Sequence, residues 1–394
     1  MKFIRGLVVI MSITLIISGC NNKVETTEVT TTEMTTESSS EVTTEIIETT
    51  EASENHVIIR NEKTIKNDSK TNSIITSQES FQLGTYITLS IYADEEVPTE
   101  VFDKLFDLID YYEYMISKSI VGTELNQINE NAGTAPVKVH DELFEIVRLG
   151  IDFAGYSDGL FDITIGPLVD LWGIGTDYAN IPTDADIKEK MALINYKTIV
   201  LDENEKTVYL PEKNMALDLG AIAKGYIADR VKDLILEEGY QSAIINLGGN
   251  VLTVGTKPNT DTWSIGVRDP ESDAGTSMGI LKLEDNSIVS SGIYERFFID
   301  GDKRYHHLIN PKIGYPEQND IMSVSIISEL SVDGDALSTT VFLLGLEAGF
   351  ELIEGLENID AVFVLADHSV YLTSGLGEKF ILTNDSYTIK ELTK

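Results

Sequence analysis

Apolar and polar positions alternate along the chain in patterns that change character several times. Gly6 to Ile17 is a largely apolar run of 12 residues, and from Val24 to Asn55 the pattern nearly vanishes into Thr, Glu and Ser. Residues 56–78 remain polar and weakly patterned. Phe81 to Tyr92, rich in Thr, Tyr and Ile, predicts a strand. Apolar residues at 101, 102, 105, 106, 108, 109 and 112 then follow helical spacing, with Pro98 and Thr99 suited to the start, so a helix is expected over 98–116. Further helices are expected over 141–155, just after Asp162, and over 221–238 with a stop at Gly239. Strands are expected at 242–247, 250–255, 263–267, 278–283, 286–290, 296–300, 304–309 and 321–327. A helix over about 335–345, a short one near 347–356 and closing strands around 360–373 complete the reading. Strands and helices mix without regular βαβ alternation, which predicts an α+β fold rather than a doubly wound sheet. No internal repeat is visible.

Charge narrows the function. The 394 residues carry 29 Lys+Arg against 65 Asp+Glu, a net charge of −36, and one cysteine. No basic excess exists to neutralise phosphates, so a general nucleic-acid binder is excluded. A single cysteine excludes a disulfide framework, a CxxC redox pair and a Cys-rich zinc site. Lys2 and Arg5 precede the first apolar run, which is shorter than the roughly 20 residues that span a bilayer but suits a signal peptide. It ends in Ile17-Ser18-Gly19-Cys20, which resembles a bacterial lipoprotein box. The expected organisation is a signal peptide over 1–19, a disordered Thr/Glu-rich tether over 20–77 anchored to the membrane by a lipidated Cys20, and a folded body over 78–394. The body then works on the extracytoplasmic face of a bacterial cell membrane.

Three segments carry candidate chemistry. Met215-Ala-Leu-Asp218-Leu-Gly220-Ala221-Ile-Ala-Lys224-Gly225 runs from a short strand through a Gly turn into a helix. Its helix-start amides and Lys224 suit an anion, although a capping Asp in a generic turn would look the same. Asp335 and Thr339 in Val332-Asp-Gly-Asp-Ala-Leu-Ser-Thr339 are four apart and share a helix face. They offer either hard oxygen ligands for Mg²⁺ shared with a substrate phosphate, or an N-cap Asp and a solvated Thr. In Arg304-Tyr-His306-His307-Leu308-Ile309-Asn310-Pro311 two histidines are adjacent on a strand, so they face opposite ways and at most one enters a given site. The turn Leu160-Phe161-Asp162, the segment Asn246-Leu-Gly-Gly-Asn250, read as a tight turn between strands, and Ser290-Ser291-Gly292 followed by Glu295-Arg296 are the remaining pieces.

Together and in this order, from Leu83-Gly84-Thr85 to about Gly345 and the C-terminal strands, these segments resemble the ApbE family, the FAD:protein FMN transferases. The resemblance implies a single two-lobed α+β domain with FAD bound between the lobes and Mg²⁺ at its pyrophosphate. It implies transfer of FMN from FAD to a Thr or Ser hydroxyl of an acceptor protein, with release of AMP. Carried onto this chain, the metal ligands fall on Asp335, Thr339 and the Ala221 carbonyl. FAD contacts fall on Leu83, Leu160, Phe161, Asp162, Asp218, Lys224 and Ile309. His307 matches the catalytic histidine, with Lys224 stabilising charge on the pyrophosphate. Ile116-Ser117-Lys118-Ser119 departs from the aromatic segment of many members, and Asn310 replaces the usual Asp before Pro. FAD hydrolysis to FMN and AMP, and a flavin-binding lipoprotein without turnover, are the alternative activities. No Ser/Thr-Gly-Ala-Ser/Thr segment of the modified kind occurs in the chain, so the expected acceptor is another exported protein, bearing an FMN-binding domain or belonging to a redox pump.

Overall fold

The computed structural model describes residues 57–272 and 275–392, together with two backbone strands, Thr26–Thr32 and Glu41–Glu48. The expected leader, Cys20 and much of the tether lie outside the described residues. Strand pairing is already present N-terminal to Gln78: Val57–Asn61 and Thr64–Asp68 both pair with Ser73–Gln82.

The central sheet runs in the spatial order Ser73–Gln82, Thr85–Ala93, Ala243–Leu247, Asn250–Val254, Ser287–Gly292, Ile321–Ser328, Asp360–Leu365 and Ser369–Leu372. These neighbours are antiparallel. Eight helices lie among the described residues: α1 (Thr99–Ile116), α2 (Glu124–Glu130), α3 (Asp141–Tyr156), α4 (Gly166–Trp172), α5 (Asp184–Met191), α6 (Ala223–Glu237), α7 (Ser331–Leu344) and α8 (Leu346–Glu354). The mixture of helices and antiparallel strands is the expected α+β class.

Strand alternation decides which layer each side chain joins. Ala361 and Phe363 join the main core with α1, α3, α6 and α7, while Val362 and Val364 pack on the opposite side. That second side is covered by the small sheet of Trp263–Arg268, Ser277–Leu283 and Phe380–Leu382 through Val267, Met278, Leu281 and Phe380. The α1 stripe is borne out, with Val101, Phe102, Leu105, Phe106, Ile109 and Tyr112 all buried. A third cluster holds Leu168 and Trp172 of α4, Ile187 of α5 and Ile309.

Four local expectations are corrected. The strand over 81–92 is a hairpin, because Leu83 (φ 55°) and Gly84 (φ 67°) form a two-residue turn in the left-handed region and Gln82 pairs with Thr85. Helix α6 starts at Ala223 rather than Ala221, and α7 starts at Ser331 rather than Asp335. The strand over 304–309 breaks at His307, after which Ile309–Asn310 pairs with Tyr315–Pro316. Helices α2 and α5 were not expected; Thr123 and Thr183 cap them by accepting the Asn126 and Asp186 amides. The Asn246–Asn250 segment is the expected tight turn, with Gly248 and Gly249 both at positive φ.

Candidate active site

The site is built where α6 and α7 cross. A Cβ on Gly225 would lie 2.4 Å from the Ser331 carbonyl oxygen, so the helix backbones meet there without an intervening side chain. Two buried carboxylates clasp the crossing reciprocally. Asp335 of α7 accepts the Gly225 N–H at 2.8 Å. Asp229 of α6 accepts the N–H groups of Ser331 at 2.8 Å and Val332 at 3.0 Å, satisfying donors that open α7. Asp335 therefore sits inside the helix and is not its N-cap, which removes the capping reading of that residue. Burial pushes the Asp229 carboxyl up to about 6, against the pull of the two amides.

The clasp also frees a backbone acceptor. The Gly225 N–H is spent on Asp335, and no backbone bond from it to the Ala221 carbonyl is made. That partly buried carbonyl, the second oxygen of Asp335 and the partly buried Thr339 hydroxyl, one turn along α7, are all hard oxygen donors. Ser291 holds the Thr339 turn, donating to Ser338 Oγ at 2.9 Å and standing 3.4 Å from Thr339 Oγ1. No group of three His, Cys, Asp or Glu side chains among the described residues is placed to hold a metal. The donor set thus fits Mg²⁺ that takes its remaining ligands from substrate phosphate and water, and does not fit zinc.

The two histidines separate as expected. His306 is 3% exposed, its Nε2–H donates to the Glu317 carbonyl at 2.7 Å, and its Nδ1 accepts the Leu308 N–H at 3.3 Å. Its ring packs edge-on against Phe342 of α7, and burial lowers its pKa to about 4. It is a structural strut. His307 is partly buried, with Nδ1 at 3.3 Å from the Arg296 carbonyl. That acceptor assigns the proton to Nδ1 and leaves the Nε2 lone pair available. Burial, followed by the Arg296 guanidinium, lowers the His307 pKa to about 3, and Lys224 adds to the effect. The imidazole is therefore neutral near pH 7, as a base must be. Lys224, at the start of α6, has no carboxylate partner among the described residues, so its charge is available to an anion.

The other candidate residues join by different routes. The short strand expected before Asp218 does not form; Asp218 instead donates its N–H to the Ile163 carbonyl at 2.8 Å, fastening its segment beside the Leu160-Phe161-Asp162 turn. The Asp162 carboxylate is committed: Oδ1 accepts from the Thr164 N–H and hydroxyl, and Oδ2 from the Tyr196 N–H. Burial raises its pKa, with those bonds opposing. A cavity of about 130 Å³ beside it is lined by Gly159, Asn195, Tyr196, Pro311 and Lys312. Phe161 and Ile309 bury their side chains in the cores, and the Phe161 N–H and carbonyl are both bonded to the Ser157 hydroxyl. The Trp172 indole N–H donates to the Gly314 carbonyl at 2.9 Å, tying α4 to the hairpin that follows His307. Leu83 lies on its hairpin turn, packed against the main core. A cavity of about 620 Å³ lies between α8 and Asn319–Ile321, and none of the candidate residues lines it.

Sequence reading missed Gly225, Asp229 and Lys118 as parts of this arrangement. Asp229 carried one signal, an acidic residue directly after the apolar Tyr226-Ile-Ala run. The partners of all three are distant in sequence, 52 and 100 residues away for Lys118 and more than 100 for Gly225 and Asp229.

Comparison with known proteins identifies the family. The ApbE family profile matches residues 83–363. A FAD:protein FMN transferase of Klebsiella pneumoniae (strain 342) is 37% identical over 319 residues, covering 81% of this chain and 98% of that protein. One of Treponema pallidum (strain Nichols) is 32% identical over 318 residues, covering 77% and 88%. The crystal structure of the ApbE protein of Thermotoga maritima superposes with a TM-score of 0.72 at 27% identity, covering 77% of this chain and 99% of that one. The chain belongs to the ApbE family.

Proposed function

We propose that the protein is a Mg²⁺-dependent FAD:protein FMN transferase acting on a Thr or Ser hydroxyl of an exported acceptor. The observation that supports this reading is the α6–α7 clasp, in which Asp335 of α7 takes the Gly225 N–H next to Lys224 and leaves the Ala221 carbonyl without that bond. The acceptor hydroxyl oxygen forms a bond to the FMN phosphorus as the bond from that phosphorus to the AMP half breaks. The hydroxyl proton passes to His307 Nε2, and AMP departs. Phosphoryl chemistry of this kind needs positioning and charge neutralisation more than covalent help from the protein. Lys224 supplies a fixed positive charge for the pyrophosphate, and the Leu160–Asp162 turn and Asp218 line the approach of FAD. Bound Mg²⁺ would neutralise charge on the transferred phosphate. The names of the two curated relatives support FAD as substrate and a protein as acceptor. The leader and the Cys20 box support lipid anchoring outside the cytoplasmic membrane.

The test is to incubate the protein with FAD, Mg²⁺ and an acceptor carrying an FMN-binding domain, then weigh the acceptor intact. A gain of one FMN, lost when its target threonine becomes alanine, is expected. Free FMN and AMP with an unmodified acceptor would make the protein an FAD hydrolase instead.

A further inference from the structure

One side chain at the Asp218 segment has an unspent donor. Helix α1 ends at Ile116, and Ser117 tightens the chain by accepting the Ser119 and Ile120 N–H groups at 3.1 and 3.3 Å. The Thr123 hydroxyl closes the same loop by donating to the Ser117 carbonyl at 2.8 Å. Lys118 is thereby presented to two carboxylates, with Nζ 2.7 Å from Asp170 of α4 and 3.2 Å from Asp218. Its side chain is 21% exposed, and Asp218 is exposed to the same degree. Asp218 has its other oxygen on the Gly220 N–H at 3.0 Å, so the carboxylate is held from both sides. An ammonium has three protons, and two are used here.

We infer that Lys118 is a substrate-binding residue of this enzyme, which fixes Asp218 and donates its third proton to FAD. The inference rests on the flavin-transferase reading of the Asp218 segment. Two carboxylates and one ammonium leave the cluster with a net negative charge, so it repels phosphate. It suits an uncharged polar edge that offers an acceptor beside an N–H. Within FAD, both the pyrimidine edge of the flavin and the adenine edge have that chemistry. Asp218 takes the N–H and Lys118 serves the neighbouring oxygen or ring nitrogen. A methionine at 118 keeps the length of the stem and removes the donor, whereas an arginine keeps charge and donors.

The experiment measures FAD binding to the full protein without acceptor, by flavin fluorescence, for wild type, Lys118→Met and Lys118→Arg. Loss of one hydrogen bond from a charged donor corresponds to about tenfold weaker binding or more. Lys118→Met is expected to show that loss, Lys118→Arg to recover most of it, and kcat at saturating FAD to stay within about threefold for both. Competition by riboflavin and by AMP assigns the contact to one half of FAD: the variant loses affinity for the half that Lys118 touches. Binding by Lys118→Met within twofold of wild type would overturn the inference. So would weakened binding that tracks a lowered unfolding midpoint and is not rescued by arginine, which is the signature of a structural role. If the wild-type protein fails to bind FAD, the flavin reading itself falls; if it binds FAD and only the Lys118 result fails, that reading stands.

Discussion

Replacing Gly225 with alanine tests whether the helix crossing builds the site. The added Cβ would stand 2.4 Å from the Ser331 oxygen and 2.7 Å from both the Ser331 carbonyl carbon and Val332 Cα. All three are backbone atoms, so no side chain can swing aside and α7 must retreat from α6. Overpacking of this kind costs about 1–3 kcal/mol. Retreat also stretches the bond from the Gly225 N–H to Asp335, and losing a buried hydrogen bond to a charged group costs about 1.5–3 kcal/mol. Alanine returns about 1 kcal/mol of helix propensity, so the net destabilisation is about 2–4 kcal/mol. Gly155 in α3 is the control: nothing lies within 4 Å of its Cβ position, so Gly155→Ala should be neutral or stabilising. Urea unfolding of the two variants reads the difference, and FMN transfer reads its effect on the site. The Gly225 variant should lose activity more steeply than stability alone requires, because Asp335 moves with α7. Gly225→Ala as stable as wild type within about 0.5 kcal/mol, with unaltered turnover, would refute the crossing as the determinant.

Removing His307 as His307→Ala should lower the transfer rate by about 10²–10⁴ with FAD affinity little changed, measured by single-turnover mass spectrometry; a rate within a few-fold of wild type would reject the base. Asp335→Ala, or EDTA, should abolish turnover, and recovery of wild-type rates by the variant at high Mg²⁺ would reject the ligand assignment. The buried His306 has a folded pKa of about 4, below its ordinary value, so the unfolded state binds a proton that the folded state refuses between about pH 6.5 and 4. Its contribution therefore falls as pH falls, and the stability advantage of wild type over His306→Gln should shrink by about 2–3 kcal/mol between pH 7 and pH 4.5 in urea titrations. An advantage that stays constant or grows over that range would contradict the buried neutral ring.

Local signals were legible where one segment decided its own fate. The α1 stripe wrote both the helix and its buried face, and the positions of Gly248 and Gly249 fitted a tight turn. The α+β class followed from the order of elements alone. Readings failed where the decisive partner was distant. Asp335 looked like a cap because the true capping group of α7, Asp229, approaches from another helix 102 residues away. The Leu83 turn was hidden because the strand before it, Ser73–Gln82, is mostly polar, and a non-glycine residue at positive φ leaves no compositional mark. Helix α5 buries only Ile187, too little to write a stripe, although its cap residue Thr183 was visible. At the candidate site, the family resemblance nominated Lys224, His307, Asp335 and Thr339. The pairing of Lys118 with Asp170 and Asp218 joins three segments that only the fold brings together.

The clasp between Gly225 and Asp335 spans 110 residues. A ribosome finishing the α6 segment has made the strand-to-helix turn and its lysine, but the α7 carboxylate that completes the site is not yet synthesised. A chain released or cut anywhere before α7 would lack Asp335, Thr339 and the helix that clasps α6. Competence is thus acquired late and in one step, when a distant helix docks. On the proposed assignment, a nascent or truncated copy cannot begin transfer while the polypeptide is still being made.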